Sequence, residues 1–206
     1  VTEIIAIDNG LCNVGSMANM VRKAGGQVRV SADPAQIATA QKLIFPGVGH
    51  FGHAMALLRE SGLVEVLQDA VIERKIPILG VCLGMQLFSR HSEEGDADGL
   101  GWIDARTIRL TPGDPALKVP HMGWNAIQPT RPDPLFSGLD DEARFYFVHS
   151  YHVVCNDPAD VLARTTHGAP FVCAVRRENI WGVQFHPEKS HRYGLALMKA
   201  FVEHVD

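Results

Sequence analysis

Cys82 lies between two glycines, in the run Gly80-Val81-Cys82-Leu83-Gly84. The run follows a nearly all-apolar segment, residues 76–81 (IPILGV), and precedes a helix-like one, residues 85–90. A nucleophile flanked in this way at a strand-to-helix turn forms a nucleophile elbow. Glycines there permit a sharp turn and keep side chains away from the central residue. The turn lifts the thiol into a cleft at the end of the strand, and the start of the helix favours its thiolate. The N–H of Leu83 then points at the oxyanion of a substrate. The competing reading is an inert cysteine that is merely small.

A cysteine nucleophile needs a base that takes its proton and later protonates the leaving group. His186, in Gln184-Phe185-His186-Pro187-Glu188, stands just past a predicted strand, and Glu188 is close enough in sequence to hold the other imidazole nitrogen. The chain has ten histidines, so the alternative is a turn histidine beside a solvated glutamate. A third segment, Pro46-Gly47-Val48-Gly49, follows the strand KLIF. Glycines at the C-terminal end of such a strand let backbone N–H groups face a ligand; the alternative is an ordinary strand-to-helix turn. No Gly-Lys-Ser/Thr is present there, so it is not a phosphate loop. Three such signals, each past a predicted parallel strand, converge on one sheet edge, and coincidence explains that poorly.

The elements that must position these residues read as follows. Residues 3–8, 27–30, 42–45 and 76–81 are short strands, the first and last of them largely apolar runs, with Pro46-Gly47 ending the third. Helical spacing covers 13–24, stopped by Gly25-Gly26, and 57–74, broken at Ser61-Gly62. Continuous apolar strands are buried on both faces, and their alternation with helices implies βαβ units. The second half changes character: dense turn signals at 111–115 and 130–134, short strands at 144–148, 152–155, 171–176 and 180–185, and a closing amphipathic helix over 192–205. The expected fold is α/β, a mostly parallel central sheet flanked by helices, with an added antiparallel hairpin-rich segment, in one domain over residues 1–206.

Composition narrows the partners. A net charge of −4 gives no reason to expect nucleic acid or an anionic membrane, and no apolar run is long enough to span a bilayer. Val1 to Asp8 reads directly into a strand, with no visible secretory signal. Cys12, Cys82, Cys155 and Cys173 form no CxxC pair, which argues against a zinc site or a thioredoxin-type dithiol. A reduced, cytoplasmic setting follows as the expectation, with no metal and no cofactor in the chemistry.

The G-x-C-x-G elbow, the late His-Pro-Glu and the glycine loop together resemble the class I glutamine amidotransferases. PGVGHFGHAM at 46–55, HMGWN at 121–125, YFVHSY at 146–151 and QFHPEKS at 184–190 narrow the resemblance to the glutaminase subunits of imidazole glycerol phosphate synthase, over nearly the whole chain. That resemblance implies a flavodoxin-like fold and a catalytic triad of Cys82, His186 and Glu188. It implies oxyanion donors at Leu83 and, after a peptide rearrangement, Val48, and it places glutamine's α-amino and carboxylate groups near Gly49, Gln86, Ser150 and Tyr151. It puts His121 and Trp124 near a partner interface. The implied substrate is L-glutamine, and the implied partner is a (β/α)8-barrel cyclase subunit, joined as a heterodimer, that receives the ammonia. Cys12 stands where the family usually has glycine. Residues 91–104 (HSEEGDADGLGWID) and 188–194 (EKSHRYG) also resemble a paralogous branch that supplies ammonia for nucleotide-sugar or surface-polysaccharide amination. Rivals outside these are a stand-alone γ-glutamyl hydrolase-like enzyme and a non-catalytic scaffold.

Overall fold

The computed structural model describes residues 3–8, 10 and 14–205. Cys12 and the Asn13 expected to open the first helix lie outside the described residues.

In chain order the elements are β1 (Glu3–Ile7), α1 (Val14–Lys23), β2 (Gln27–Ser31), α2 (Pro34–Ile37), β3 (Lys42–Gly47), α3 (Phe51–Glu60), α4 (Leu63–Gln68), β4 (Ile78–Cys82), α5 (Leu83–Gln86), β5 (His91–Ser92), β6 (Ala97–Asp98), β7 (Ala105–Arg109), β8 (His121–Ala126), β9 (Gln128–Pro129), β10 (Arg144–His149), β11 (Tyr151–Cys155), β12 (Val161–His167), β13 (Ala169–Arg177), β14 (Ile180–Val183) and α6 (His191–His204). Five strands run parallel in the order β2-β1-β3-β4-β14. That order is the flavodoxin-like doubly wound one, which places ligands at the C-terminal ends of the strands. Beyond β14 the sheet continues mainly antiparallel through β13, β11 and β7, while β8 and β10 form a separate two-stranded ribbon. The α/β fold with an added antiparallel segment is therefore present.

The apolar strands divide their side chains between two faces, as a period of two requires. Ile5, Leu43, Phe45 and Ile78 pack with α3 and α4 on one face, while Ile4, Ile44, Leu79 and Val81 pack with Met17 and Val21 of α1 and Leu197 and Phe201 of α6 on the other. Some boundaries differ from expectation. Pro46 and Gly47 extend β3 instead of ending it, paired with Val81 and Cys82. The helix expected from residue 57 starts at Phe51, capped by His50, and Gly62 breaks it at φ 67°.

Lys42 is buried, at 2% exposure. Its ammonium donates to the carbonyls of Phe201 (3.1 Å), Val202 (3.4 Å) and Val205 at the end of α6. Helix C-termini leave carbonyls without intrahelical donors and favour a cation, so this lysine fastens α6 to the sheet. Lys42→Met keeps the stem and removes the donors. Its unfolding free energy in urea should fall by about 1–3 kcal/mol; an unchanged midpoint would mean that the contacts contribute nothing net.

Candidate active site

Parallel register assembles the site. Gly47 of β3 pairs with Cys82 of β4, and Val183 of β14 pairs with Val81. The glycine loop, the thiol and the His186 segment therefore leave neighbouring strands at the same level. Cys82 has φ 55° and ψ −110°, a conformation that a side-chain-bearing residue holds only when its surroundings impose it. The flanking glycines do not carry the unusual torsion. They permit close packing: a Cβ on Gly80 would lie 2.5 Å from the Phe88 ring, and one on Gly84 would lie 1.9 Å from the Phe45 carbonyl oxygen.

His186 is 2% exposed. Its backbone N–H donates to Tyr146 O at 2.9 Å, and its carbonyl accepts from Ser190 Oγ at 2.6 Å. Nδ1 donates to Glu188 Oε1 at 2.8 Å, since a carboxylate only accepts. Nε2 is buried without a hydrogen-bond partner. Burial alone would lower the pKa of this imidazole. The Cys82 sulfur and the Glu188 carboxylate outweigh it and hold the value up at about 10. The sign of the stability effect follows. The unfolded histidine titrates at its ordinary 6.5, so the stabilisation is fully present below that pH and is lost as pH rises through about 10. Melts of the native chain and His186→Gln across this window should show the native advantage shrinking with pH; a constant difference would contradict the raised pKa.

Sγ of Cys82 accepts from Gln184 Nε2 at 3.6 Å, and Gln184 Oε1 accepts from Gln86 Nε2 at 2.9 Å. Gln86 Nε2 also donates to Tyr151 O at 3.0 Å. Both N–H bonds of that amide are thereby used, leaving its Oε1 for a ligand. Cys82 opens onto a cavity of about 330 Å³ lined also by Val48, Gly49, Leu83, Gln86, Ser150, Tyr151 and His186. All the catalytic, oxyanion and substrate-contact residues expected from the sequence border it except Glu188, which lies behind His186. Gly49 has φ +112°, a conformation that needs glycine. Glu188 lines a second cavity of about 280 Å³, and His186 and Val48 border both.

Sequence reasoning missed two residues. One is Gln184, quoted within its motif but given no role. The other is Glu94, which borders the first cavity while its Oε2 accepts from Phe51 N, at the start of α3, at 2.9 Å. The acidic run HSEEGDADG was visible, but nothing in its spacing tells Glu94 from Glu93, which instead accepts from Arg109 N. Outside the cavity, Met122 and Trp124 of β8 are 62% and 46% exposed, and Val48 is 41% exposed. Trp124 stacks on His191 at 5.3 Å. Among the described residues no group of three or more His, Cys, Asp and Glu could hold a metal ion, and no helix is long and apolar enough to cross a membrane.

A family model described as Glutamine amidotransferase class-I matches residues 5–205. The chain is 48% identical, over 97% of its length and 98% of the relative's, to imidazole glycerol phosphate synthase subunit HisH 2 of Pseudomonas aeruginosa. It is 45% identical, over 96% and 98%, to subunit HisH of Bdellovibrio bacteriovorus. Among solved structures, PurLQS from Thermotoga maritima superposes with a TM-score of 0.77 at 15% identity, covering 100% of this chain and 99% of that one. A glutamine amidotransferase from the same organism gives 0.63 at 17%, covering 98% and 81%. At those identities the superpositions speak for the fold.

Proposed function

Because the chain belongs to the class-I glutamine amidotransferase family, and within it to the HisH subunits of imidazole glycerol phosphate synthase, we propose that it hydrolyses L-glutamine with Cys82, His186 and Glu188 and delivers the ammonia to a cyclase subunit. The observation that carries this reading is the register that sets the thiol, the glycine loop and the Glu188-held imidazole side by side on one cavity. The Cys82 thiolate attacks the carboxamide carbon. Leu83 and Val48 N–H groups receive the oxyanion, Val48 after its peptide turns. The C–N bond breaks as His186 Nε2 gives its proton to the departing amine, which leaves as NH₃. Neutral His186 then takes a proton from water, the hydroxide attacks the γ-glutamyl thioester, and the C–S bond breaks to release glutamate and restore the thiolate. Glu188 orients the imidazole and stabilises its protonated form.

Substrate orientation follows from charge. Glu94 and Gln86 Oε1 suit the α-ammonium of glutamine, with Gly49, Ser150 and Tyr151 completing the pocket. Glu94→Gln keeps an acceptor for Phe51 N and removes the charge. It should raise KM for glutamine about 10- to 100-fold, the weight of one charge-assisted hydrogen bond, with a much smaller change in kcat. Steady-state kinetics checks this, and an unchanged KM would remove Glu94 from the substrate site.

The partner is a (β/α)8-barrel cyclase subunit forming a heterodimer. Support comes from the apolar side chains Val48, Met122 and Trp124, exposed on the loop and ribbon nearest the site, where large exposed apolar groups mark association. A single domain working in the cytoplasm accords with the free thiols of Cys82, Cys155 and Cys173. The deciding experiment combines the purified chain, glutamine and the cyclase subunit. Glutamine-dependent product that appears only with both subunits, and that ammonium salts replace when this chain is omitted, supports the reading. Full glutamine turnover by the chain alone points to a stand-alone hydrolase. Ammonia incorporated only with a sugar-modifying synthase moves the pathway but keeps the chemistry.

A further inference from the structure

His121 and His149 face each other across the β8–β10 ribbon, and both are nearly buried at 4% and 6% exposure. Their polar contacts form a chain with one direction. His149 Nδ1 lies 2.8 Å from Tyr151 O, a carbonyl that can only accept. The proton is therefore on Nδ1, and in the neutral ring Nε2 is an acceptor. That nitrogen lies 3.0 Å from His121 Nδ1, which must then carry a proton too. His121 Nε2 becomes an acceptor in turn, and Asn125 Nδ2 reaches it at 3.3 Å while also donating to Thr166 O at 2.8 Å. Burial comes first among the causes that keep both rings neutral, with neighbouring histidines adding to it: His121 is lowered to about 4 and His149 to about 3.

The two ends of this chain differ in what they touch. Tyr151 O, which also accepts from Gln86 Nε2, belongs to the Ser150–Tyr151 wall of the cavity that holds Cys82, and His149 itself borders that cavity. The other end is β8, whose Met122 and Trp124 side chains are exposed on either side of Gly123. Aromatic packing holds His121 in place: Phe147 lies 4.8 Å away and His167 4.4 Å away, ring to ring.

We propose that His121 and His149 are a fixed-tautomer pair of positioning residues that holds the Ser150–Tyr151 wall of the glutamine pocket from strand β8. Neither touches the reacting atoms. The functional half of this inference rests on the glutaminase reading; the tautomeric half does not.

Two measurements test it. Long-range ¹H–¹⁵N correlation spectra of the intact chain at neutral pH should show both rings as Nδ1–H tautomers. Either ring found as Nε2–H or as imidazolium overturns the proposal, whatever the enzyme does. Kinetics in the complex with the cyclase subunit then compares His121→Phe with His121→Asn. Phenylalanine keeps the ring packing and removes the donor to His149; asparagine loses the ring and keeps an N–H at the Nδ1 position. The positioning role predicts a KM for glutamine raised about tenfold in the phenylalanine variant, as expected when a buried acceptor loses its donor. Its kcat should stay within about threefold of native, and asparagine should lie nearer native. A role in packing alone predicts the reverse order, and that order, or no change in either variant, overturns the proposal. If the native complex turns over no glutamine, the glutaminase reading fails while the spectra still judge the tautomers.

Discussion

Cys82→Ala is expected to lower glutamine-dependent turnover by about 10⁴-fold or more while leaving ammonia-dependent synthesis by the complex intact. The substitution is unusually clean at this position. Alanine carries the same Cβ, so the φ 55° backbone of the elbow is neither relieved nor worsened. The thiol's contact with Gln184 Nε2 is long, at 3.6 Å, and its other interaction, with the His186 imidazole, belongs to the catalytic pair itself. The fold, the cavity and the partner surface therefore survive, and the nucleophile alone disappears. Initial rates with glutamine and with ammonium salts, measured on the same complex, separate the two steps. Retained glutamine turnover would show that Cys82 is not the nucleophile. Loss of the ammonia-dependent rate as well would indicate damage beyond the thiol.

A large loss of stability is expected from a substitution at Gly84, next to the active site. A Cβ there would stand 1.9 Å from the Phe45 carbonyl oxygen and 2.9 Å from its carbon. Both are backbone atoms in the middle of β3, so no rotamer change can make room. Either α5 lifts away or β3 slides, and the second would undo the pairing that puts Gly47 opposite Cys82. Gly84→Ala should cost about 3–5 kcal/mol, a drop in Tm of roughly 10 °C for a chain of this size. Gly138→Ala is the control, because a Cβ there meets only Ala196 atoms at 3.7 Å, ordinary contact. Calorimetry on the two variants decides: if Gly84→Ala melts with the control, β3 and α5 are less rigid than their approach implies.

Much of the parallel half was legible because its physics is local. Residues in β1, β3 and β4 form continuous apolar runs, and such runs have no other place than the middle of a covered sheet. Cys82, His186 and the glycine loop were legible because strand ends are where an open α/β sheet exposes chemistry. In the β8–β10 ribbon, β10 was read as a strand and β8 was not. In β8, His121 turns inward while Met122 and Trp124 turn outward, so the usual alternation is inverted and HMGWNA does not read as a strand. The start of α3 was hidden by Gly49 and Gly52, which look like breakers, although Gly49 supplies a left-handed turn and His50 caps the helix. Glu94 left no mark at all, since its place at the cavity depends on how the turn between β5 and β6 folds back onto Phe51.

His186 and Val48 stand as a partition between two cavities, one bordered by Cys82 and Glu94, the other by Glu188 and Lys189. A partition of this kind gives the reaction two doors. On the proposed reaction the amino acid would occupy one compartment before and after its amide is cut, and a small neutral product released at the imidazole would find the other compartment unblocked by it. Departure of one product then need not wait for the other, and glutamate lingering in its own compartment would delay the next turnover without damming the flow of nitrogen already set free.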